Sequence, residues 1–373
     1  MALLNRVKDL KKINIFQEII LKARGVSDVV SLAVGDNPGP IPELVIEELI
    51  EEARLFLTPG GHKGYPPEEG TALLKELINQ VFYNGQFSNE EIFISDGIKT
   101  DLFRFQTLFG PSAFSRFYAP GYPTYKEGCQ IIGAQTGAIY LDPKNHFEPD
   151  VDLVAPFDVF YLCSPNNPTG IAMSEDQIRT LCNKAKNCGG LIVHDACYSP
   201  YIQTKKPKTI FIDEGAKECA VELGSFSKWA AFSGIRLSWA VVPKEVKFND
   251  GSSLLRAYTS FLNATFNGVS WLSQKMGCTL LKNTPLFLNQ VQLTMQRVQE
   301  MKQLFRSKGF EVFGGIDGPY FLVKTEVDFL EKYKILTMPL SSFEPDYEGF
   351  IRVSGFVSEK NWQIITTRLQ NSF

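Results

Sequence analysis

Three short polar clusters in this chain carry residue types that do chemistry. The first is Ser225-Phe226-Ser227-Lys228, with Arg236 eight residues further on. A lysine amine whose surroundings lower its pKa becomes a Schiff-base nucleophile. Small hydroxyls with an arginine nearby suit a phosphate. The plainer reading of any lone lysine is a solvated surface group. The second cluster runs from Leu191-Ile192-Val193 through His194 to Asp195 and on to Ala196-Cys197-Tyr198. An aspartate closing an apolar run costs free energy unless it is paired. A protonated ring nitrogen of a cofactor is one such partner; a helix cap or a structural ion pair is the commoner one. His194 points to the opposite face of the same strand and reads as structural. The third cluster is Ser164-Pro165-Asn166-Asn167-Pro168-Thr169-Gly170. Its prolines and glycine fix an irregular backbone on which the asparagine amides are held rigidly.

Two weaker signals join them. Ser95-Asp96-Gly97-Ile98-Lys99 reads as a turn opening a helix, and backbone amides at a helix start bind phosphate. Ala119-Pro120-Gly121-Tyr122-Pro123-Thr124-Tyr125 positions an aromatic ring that could stack on a flat cofactor. Core tyrosines in a proline turn explain that stretch equally well.

The elements that must hold these clusters are legible in the hydrophobic pattern. Short apolar runs at 92–95, 116–119, 159–163, 191–195, 220–223 and 238–242 read as strands. Few of them alternate polar with apolar, which fits strands covered on both faces and so a largely parallel sheet. Helical periodicity marks 42–56, 72–83, 175–187, 270–281 and 290–308. Strand alternating with helix argues an α/β fold. Each polar cluster follows directly on a strand, and open α/β sheets bind ligands at the carboxyl ends of their strands. Three such clusters therefore predict one shared site. Past about residue 260 the pattern changes to long helices followed by strands at 320–324 and 350–353. This predicts a large domain over 36–258 and a smaller α+β domain built from 1–35 together with 259–373.

With 373 residues the chain is long enough for two cores. Its 38 basic and 41 acidic residues nearly balance, and no basic block marks a nucleic-acid partner. No apolar run approaches the roughly 18 residues of a membrane helix, so no membrane partner is expected. The seven cysteines are irregularly spaced and read as reduced, in a cytoplasmic setting. The three histidines are scattered and make no metal-ligand pattern.

Together these clusters resemble the fold-type I, class I/II pyridoxal-phosphate aminotransferases, a three-layer αβα large domain with a smaller α+β domain. The matching pieces come in one order along almost the whole chain: Tyr122 with Tyr125, the 164–170 loop, Asp195 with Tyr198, Ser225-x-Ser227-Lys228, Arg236, and Arg352 near the end. The stretches EIFISDGIKTDLFR (91–104), TFNGVS (265–270), GFEVFGG (309–315), 318–320 and EGFIRVS (348–354) are similar to LL-diaminopimelate aminotransferases of the chlamydial type.

That resemblance implies pyridoxal 5'-phosphate as cofactor and a role for each matching residue. Lys228 carries the cofactor as a Schiff base and moves the proton at the substrate Cα. Asp195 pairs with the ring nitrogen, Asn167 and Tyr198 with the phenolic oxygen, and Tyr122 stacks on the ring. Ser225, Arg236 and the amides of Ile98 and Lys99 hold the phosphate. Arg352 clamps the substrate α-carboxylate, with Gly35, Lys99 and Asn167 beside it. Tyr65 reaches the phosphate of a neighbouring subunit, which implies a homodimer with shared sites. Glu68 and Asn267 reach the far end of the substrate across that dimer.

The chain also departs from that subfamily. Asn14 stands where a substrate-facing tyrosine is usual, Pro339-Leu340-Ser341-Ser342-Phe343 replaces a glycine-rich loop, and Ser238 replaces a glycine. The expectation is an aminotransferase acting on an amino acid and a 2-oxo acid, first LL-diaminopimelate with 2-oxoglutarate. The alternatives are another lysine-like or aromatic donor, or a lyase, cyclase or oxidase of specialised metabolism on the same scaffold. A ligand-sensing regulator without catalysis is disfavoured by the complete set of Lys228, Asp195 and Arg352.

Overall fold

The computed structural model describes residues 15–61 and 63–371. The altered position Asn14 lies outside the described residues. In chain order the described residues form α1 (Ile15–Lys22), β1 (Val30–Ser31), α2 (Glu43–Leu55), α3 (Ala72–Tyr83), β2 (Ile92–Ser95), α4 (Ile98–Phe109), β3 (Ser115–Ala119), α5 (Thr124–Ile132) and β4 (Thr136–Tyr140). There follow β5 (Val159–Cys163), α6 (Glu175–Cys188), β6 (Leu191–Asp195), β7 (Ala220–Ser225), β8 (Ser238–Val241), α7 (Leu254–Thr265), α8 (Trp271–Lys282) and α9 (Pro285–Ser307). The last part holds β9 (Glu311–Gly314), β10 (Tyr320–Lys324), α10 (Phe329–Tyr333), β11 (Ile335–Leu336), β12 (Met338–Pro339), β13 (Phe350–Ser354) and α11 (Glu359–Gln370).

A seven-stranded sheet in the order β2-β8-β7-β6-β5-β3-β4 carries the site. Its strands are parallel except β8, which pairs antiparallel with both β7 and β2. The reversal matters, because the start of β8 lies at the same sheet edge as the carboxyl ends of β5, β6 and β7. Residues 236–238 thereby join the clusters that end those strands. Every residue of β5 and β6 is buried, as their continuous apolar runs predict. His194 on β6 stands directly opposite Glu222 on β7. Its Nδ1 lies 2.8 Å from the Glu222 carboxylate, the structural pairing its strand face implied.

The helices start and stop where their end residues dictate. Ser174 and Gln177 form a reciprocal capping box at the start of α6, and Gly189 closes its end in a left-handed conformation. α9 begins at Pro285, five residues before the expected start at 290. Proline at the first helical position loses no hydrogen bond and is preset for the helix.

A second, four-stranded antiparallel sheet has the order β12-β13-β10-β9. β1 pairs in parallel with β11, and Val30 and Leu32 join Val298, Phe305, Phe321 and Val353 in a separate apolar cluster. The expected division at 258/259 falls inside α7. Beyond it, α8 packs on α2 and α3: Lys275 pairs with Glu48 at 2.7 Å, and the Gln274 amide oxygen takes the Thr71 N–H at 2.8 Å. We therefore propose that the large unit extends through α8 and that the smaller one begins near Asn283. The two meet at the 164–170 loop, where Gly315 N–H bonds Thr169 O at 2.9 Å and Asp317 N–H bonds Gly170 O at 3.0 Å. No described helix is long and apolar enough to cross a membrane.

Candidate active site

A cavity of about 440 Å³ opens at the carboxyl edge of the seven-stranded sheet. Its walls bring together Gly35, Ile98, Lys99, Tyr122, Asn167, Asp195, Tyr198, Ser225, Lys228, Arg236 and Arg352, residues singled out from the sequence and spread over more than 300 positions. Tyr65, Glu68 and Asn267 are not among them. All three are exposed, Tyr65 by 83%, and they lie on adjoining loops at the surface, where Gly268 packs against Pro66 and Pro67.

Lys228 follows β7, and its Nζ donates to Gly35 O at 2.5 Å. Its own carbonyl accepts from the Asn37 side chain at 2.7 Å, so the 35–39 turn grips the lysine at both ends. Asn37 was not evident from the sequence; the only signal was a Gly-Asp-Asn-Pro-Gly turn.

Asp195 ends β6 with both carboxylate oxygens engaged. Tyr125 Oη donates to Oδ2 at 2.9 Å and Cys197 N–H to Oδ1 at 3.1 Å. Burial pushes its carboxyl above the usual range, and these two donors pull it part of the way back. None of the ion pairs among the described residues involves Asp195. Burial also raises the Cys197 thiol to about 12 and the Tyr122 phenol to about 12, so both are neutral at the wall.

The other end of the cavity is set by β13. Arg352 is 3% exposed. Its Nη1 donates to Asn167 Oδ1 at 2.8 Å and its Nη2 to Ala33 O, while its Nε is buried without a partner. No carboxylate among the described residues pairs with it. The guanidinium lies over the rings of Tyr320 and Phe343, 4.3 and 5.2 Å from their centroids. A buried carboxylate and a buried guanidinium, each without an ion partner, are both costly unless a ligand completes them.

An anion cup lines the same cavity. The first N–H groups of α4 have no intrahelical acceptors and point out of its start. Gly97, the N-cap residue, has φ +130°, and a Cβ there would lie 1.8 Å from Arg236 Nη2. Only glycine lets the arginine close over the helix end. Arg236 itself has a left-handed φ of +62° and is steadied by Ser233 O at 2.7 Å from Nη1. Ser238 takes the Gly97 N–H at 2.8 Å and donates to buried Asp101 at 3.0 Å. Arg104 completes that network on the other oxygen of Asp101 at 3.2 Å.

This site fits one kind of ligand: a flat, phosphorylated, cationic heteroaromatic that condenses with a lysine amine. The α4 start, Ser225 and Arg236 suit the phosphate, Asp195 the ring cation, and Tyr122 the ring face.

That is the site of a pyridoxal-phosphate-dependent transferase on an α/β scaffold. The family model for class I and II aminotransferases matches residues 27–369, and the chain belongs to that family. It is 37% identical to the probable chloroplastic LL-diaminopimelate aminotransferase of Oryza sativa subsp. japonica, over 89% of this chain and 77% of the relative's. It is 33% identical to the LL-diaminopimelate aminotransferase of Protochlamydia amoebophila, over 97% of this chain and 93% of the other. Among solved structures, the L,L-diaminopimelate aminotransferase from Chlamydomonas reinhardtii superposes with a TM-score of 0.90 at 32% identity, covering 96% of this chain and 95% of that one.

Proposed function

We infer that this aminotransferase takes the amino group of LL-diaminopimelate and passes it to 2-oxoglutarate, as a homodimer in the cytoplasm. The observation that carries the reaction is Arg352, buried in one cavity with Lys228 and paired with no carboxylate among the described residues. The identity of the donor rests on the relatives, each named for LL-diaminopimelate at 32–37% identity.

When bound, the cofactor supplies an electron-withdrawing conjugated ring that spreads the electron pair left as the substrate Cα–H bond breaks. The residues of this chain do the rest. Arg352 and Asn167 orient the α-carboxylate, which fixes the Cα–H against Lys228. The Lys228 amine takes that proton from Cα. Tyr125 and the Cys197 N–H favour the charged form of Asp195, which would hold the ring nitrogen protonated. Tyr198 would donate to the phenolic oxygen and Tyr122 would cover the ring. Ser225, Arg236 and the amides of Ile98 and Lys99 anchor the phosphate.

In the dimer, Tyr65, Glu68 and Asn267 complete the partner's cavity, and Glu68 supplies a carboxylate for the distal ammonium of the donor. The exposed apolar side chains of Leu44, Ile50, Leu55, Leu57 and Tyr65 suit that contact. A second donor class is favoured by the altered wall. Leu340 and Phe343 are buried, Phe343 caps Arg352, and Met338 and Ile20 line the cavity. Such a surface suits an aromatic or lysine-like side chain.

The test is a half-reaction screen. Purified holoenzyme is mixed with each amino acid and no acceptor, and loss of its visible absorbance is followed together with 2-oxo acid release. LL-diaminopimelate should react fastest and release one oxo acid per site. Continued product release without acceptor means lyase or oxidase chemistry; a faster aromatic donor overturns the substrate.

A further inference from the structure

Tyr320 has no part in the assignments above, yet it touches both ends of the site. It opens β10 and is 1% exposed. On the antiparallel ladder Leu322 stands opposite Arg352 and Tyr320 opposite Ser354. Tyr320 and Leu322 share one sheet face, so Tyr320 and Arg352 are diagonal neighbours on it. Across that diagonal the guanidinium lies 4.3 Å from the Tyr320 ring centroid. At the tip of the ring, Oη is 3.2 Å from the Oη of Tyr198. Tyr198 comes from the loop after β6, so this contact joins the two sheets. Space for the hydroxyl is kept by Gly35: a Cβ there would lie 2.1 Å from Tyr320 Oη. The carbonyl of the same Gly35 accepts the Lys228 amine.

The direction of the tyrosine–tyrosine bond follows from valence. A phenol has one proton to give and two lone pairs. If Tyr198 spends its proton on the cofactor's phenolic oxygen, the bond at 3.2 Å runs from Tyr320 to Tyr198. A hydroxyl that accepts a hydrogen bond becomes a stronger donor. A stronger donor to the phenolic oxygen favours the form in which that oxygen carries more negative charge, and so lowers the pH at which the bound cofactor loses its proton.

We propose that Tyr320 is a positioning residue with two linked tasks: its hydroxyl tunes the bound cofactor through Tyr198, and its ring seats the substrate-binding Arg352. The inference rests on reading this cavity as the cofactor site. It separates the tasks by atom, since the hydroxyl serves the cofactor and the ring serves the guanidinium.

The experiment is a pH titration of the holoenzyme's visible band, which needs no turnover. In Tyr320→Phe the ring stays and the hydroxyl goes. The midpoint should rise by roughly half a unit to one unit, because Tyr198 becomes a weaker donor to the charged form. KM for α-carboxylate substrates should change less than about threefold, because the ring still carries Arg352. Tyr320→Leu should add a KM rise of about tenfold. Tyr198→Phe should raise the midpoint at least as much as Tyr320→Phe, and the double variant should add nothing, because the effect passes through one hydroxyl. That cycle also decides the matter if Tyr320→Leu does not fold. An unchanged midpoint in Tyr320→Phe, or additive shifts in the double variant, overturns the inference while leaving the cofactor site standing. A wild-type protein that shows no visible band when loaded with the cofactor overturns both, whereas a band that does not change with pH overturns the inference alone.

Discussion

Tyr125 holds Asp195. Its hydroxyl meets Oδ2 at 2.9 Å inside a pair shut off from solvent. Burial alone pushes the Asp195 carboxyl up, and Tyr125 is the largest influence in the other direction. The hydroxyl thus favours the charged form of the carboxylate, the form a cationic ring nitrogen would pair with.

Tyr125→Phe should therefore weaken cofactor binding by about tenfold, the worth of one hydrogen bond to a charged group. The loss relative to wild type should be larger near pH 6 than near pH 8. Without Tyr125 the folded-state pKa of Asp195 rises further, so the neutral form gains at the acid end first. Equilibrium dialysis of the cofactor at both pH values checks this. An affinity ratio that does not change with pH would show that Tyr125 only packs.

Asp101 gives a stability prediction of opposite kind. It is fully buried, and desolvation raises it from 3.8 to about 6 despite Arg104, Ser95 and Ser238. A carboxyl raised in the folded state binds its proton more tightly there than in the unfolded chain. Between about pH 4 and pH 6 the unfolded chain has lost that proton and the folded one has not. Stability from this group is therefore present at acid pH and falls as pH rises through that window, by roughly 3 kcal/mol for a change of this size. Asp101→Asn should remove that fall. Denaturant unfolding of both proteins near pH 4.5 and pH 7 measures it; parallel pH slopes would contradict the assignment.

Arg352→Ala should lower kcat/KM on the order of 100-fold for every α-carboxylate substrate, mostly through KM. The contact is shared by donor and acceptor acids, so both should suffer alike. An effect confined to one substrate of a pair would move Arg352 from the α-carboxylate to the distal end.

Lys228→Ala should lose all covalent cofactor labelling after borohydride reduction; undiminished labelling would place the attachment elsewhere. The same variant tests the shared dimer. Tyr65→Ala and Lys228→Ala each damage a different half of a shared site. Mixed and refolded together, they should recover up to about a quarter of wild-type sites, since random pairing gives half the dimers one intact site. Activity equal to the sum of the separate variants would mean that each cavity is complete in one chain.

Much of the cofactor end was legible before any coordinates. The runs at 92–95, 159–163 and 191–195 match β2, β5 and β6 residue for residue, because strands buried on both faces leave an uninterrupted apolar signature. The polar clusters after them converge because parallel strands bring their carboxyl ends to one edge. The reversed β8 was not legible, since an apolar run has no direction written in it. Nor was the role of Ser238, which looks like a lost glycine in the sequence. In the fold it ties Gly97 to Asp101 at the rim of the anion cup. The expected division at 258/259 falls inside α7, and α8 beyond it packs on α2 and α3, contacts between distant segments that no local pattern records.

The identities and order of Lys228, Asp195, Asn167, Arg236 and Arg352 were in the sequence alone, and with them the class of chemistry. Only the tertiary structure decided that Arg352 is buried with no carboxylate partner among the described residues, that the Tyr125 hydroxyl meets Asp195, and that Tyr320 touches both Arg352 and Tyr198. Lys228 alone marks an amine that can react. What surrounds it comes from 33–37, 195–198 and 320–352, and those distances close only when two sheets fold against each other. Residue chemistry is a property of the chain, whereas desolvation and charge pairing depend on what distant segments place alongside it.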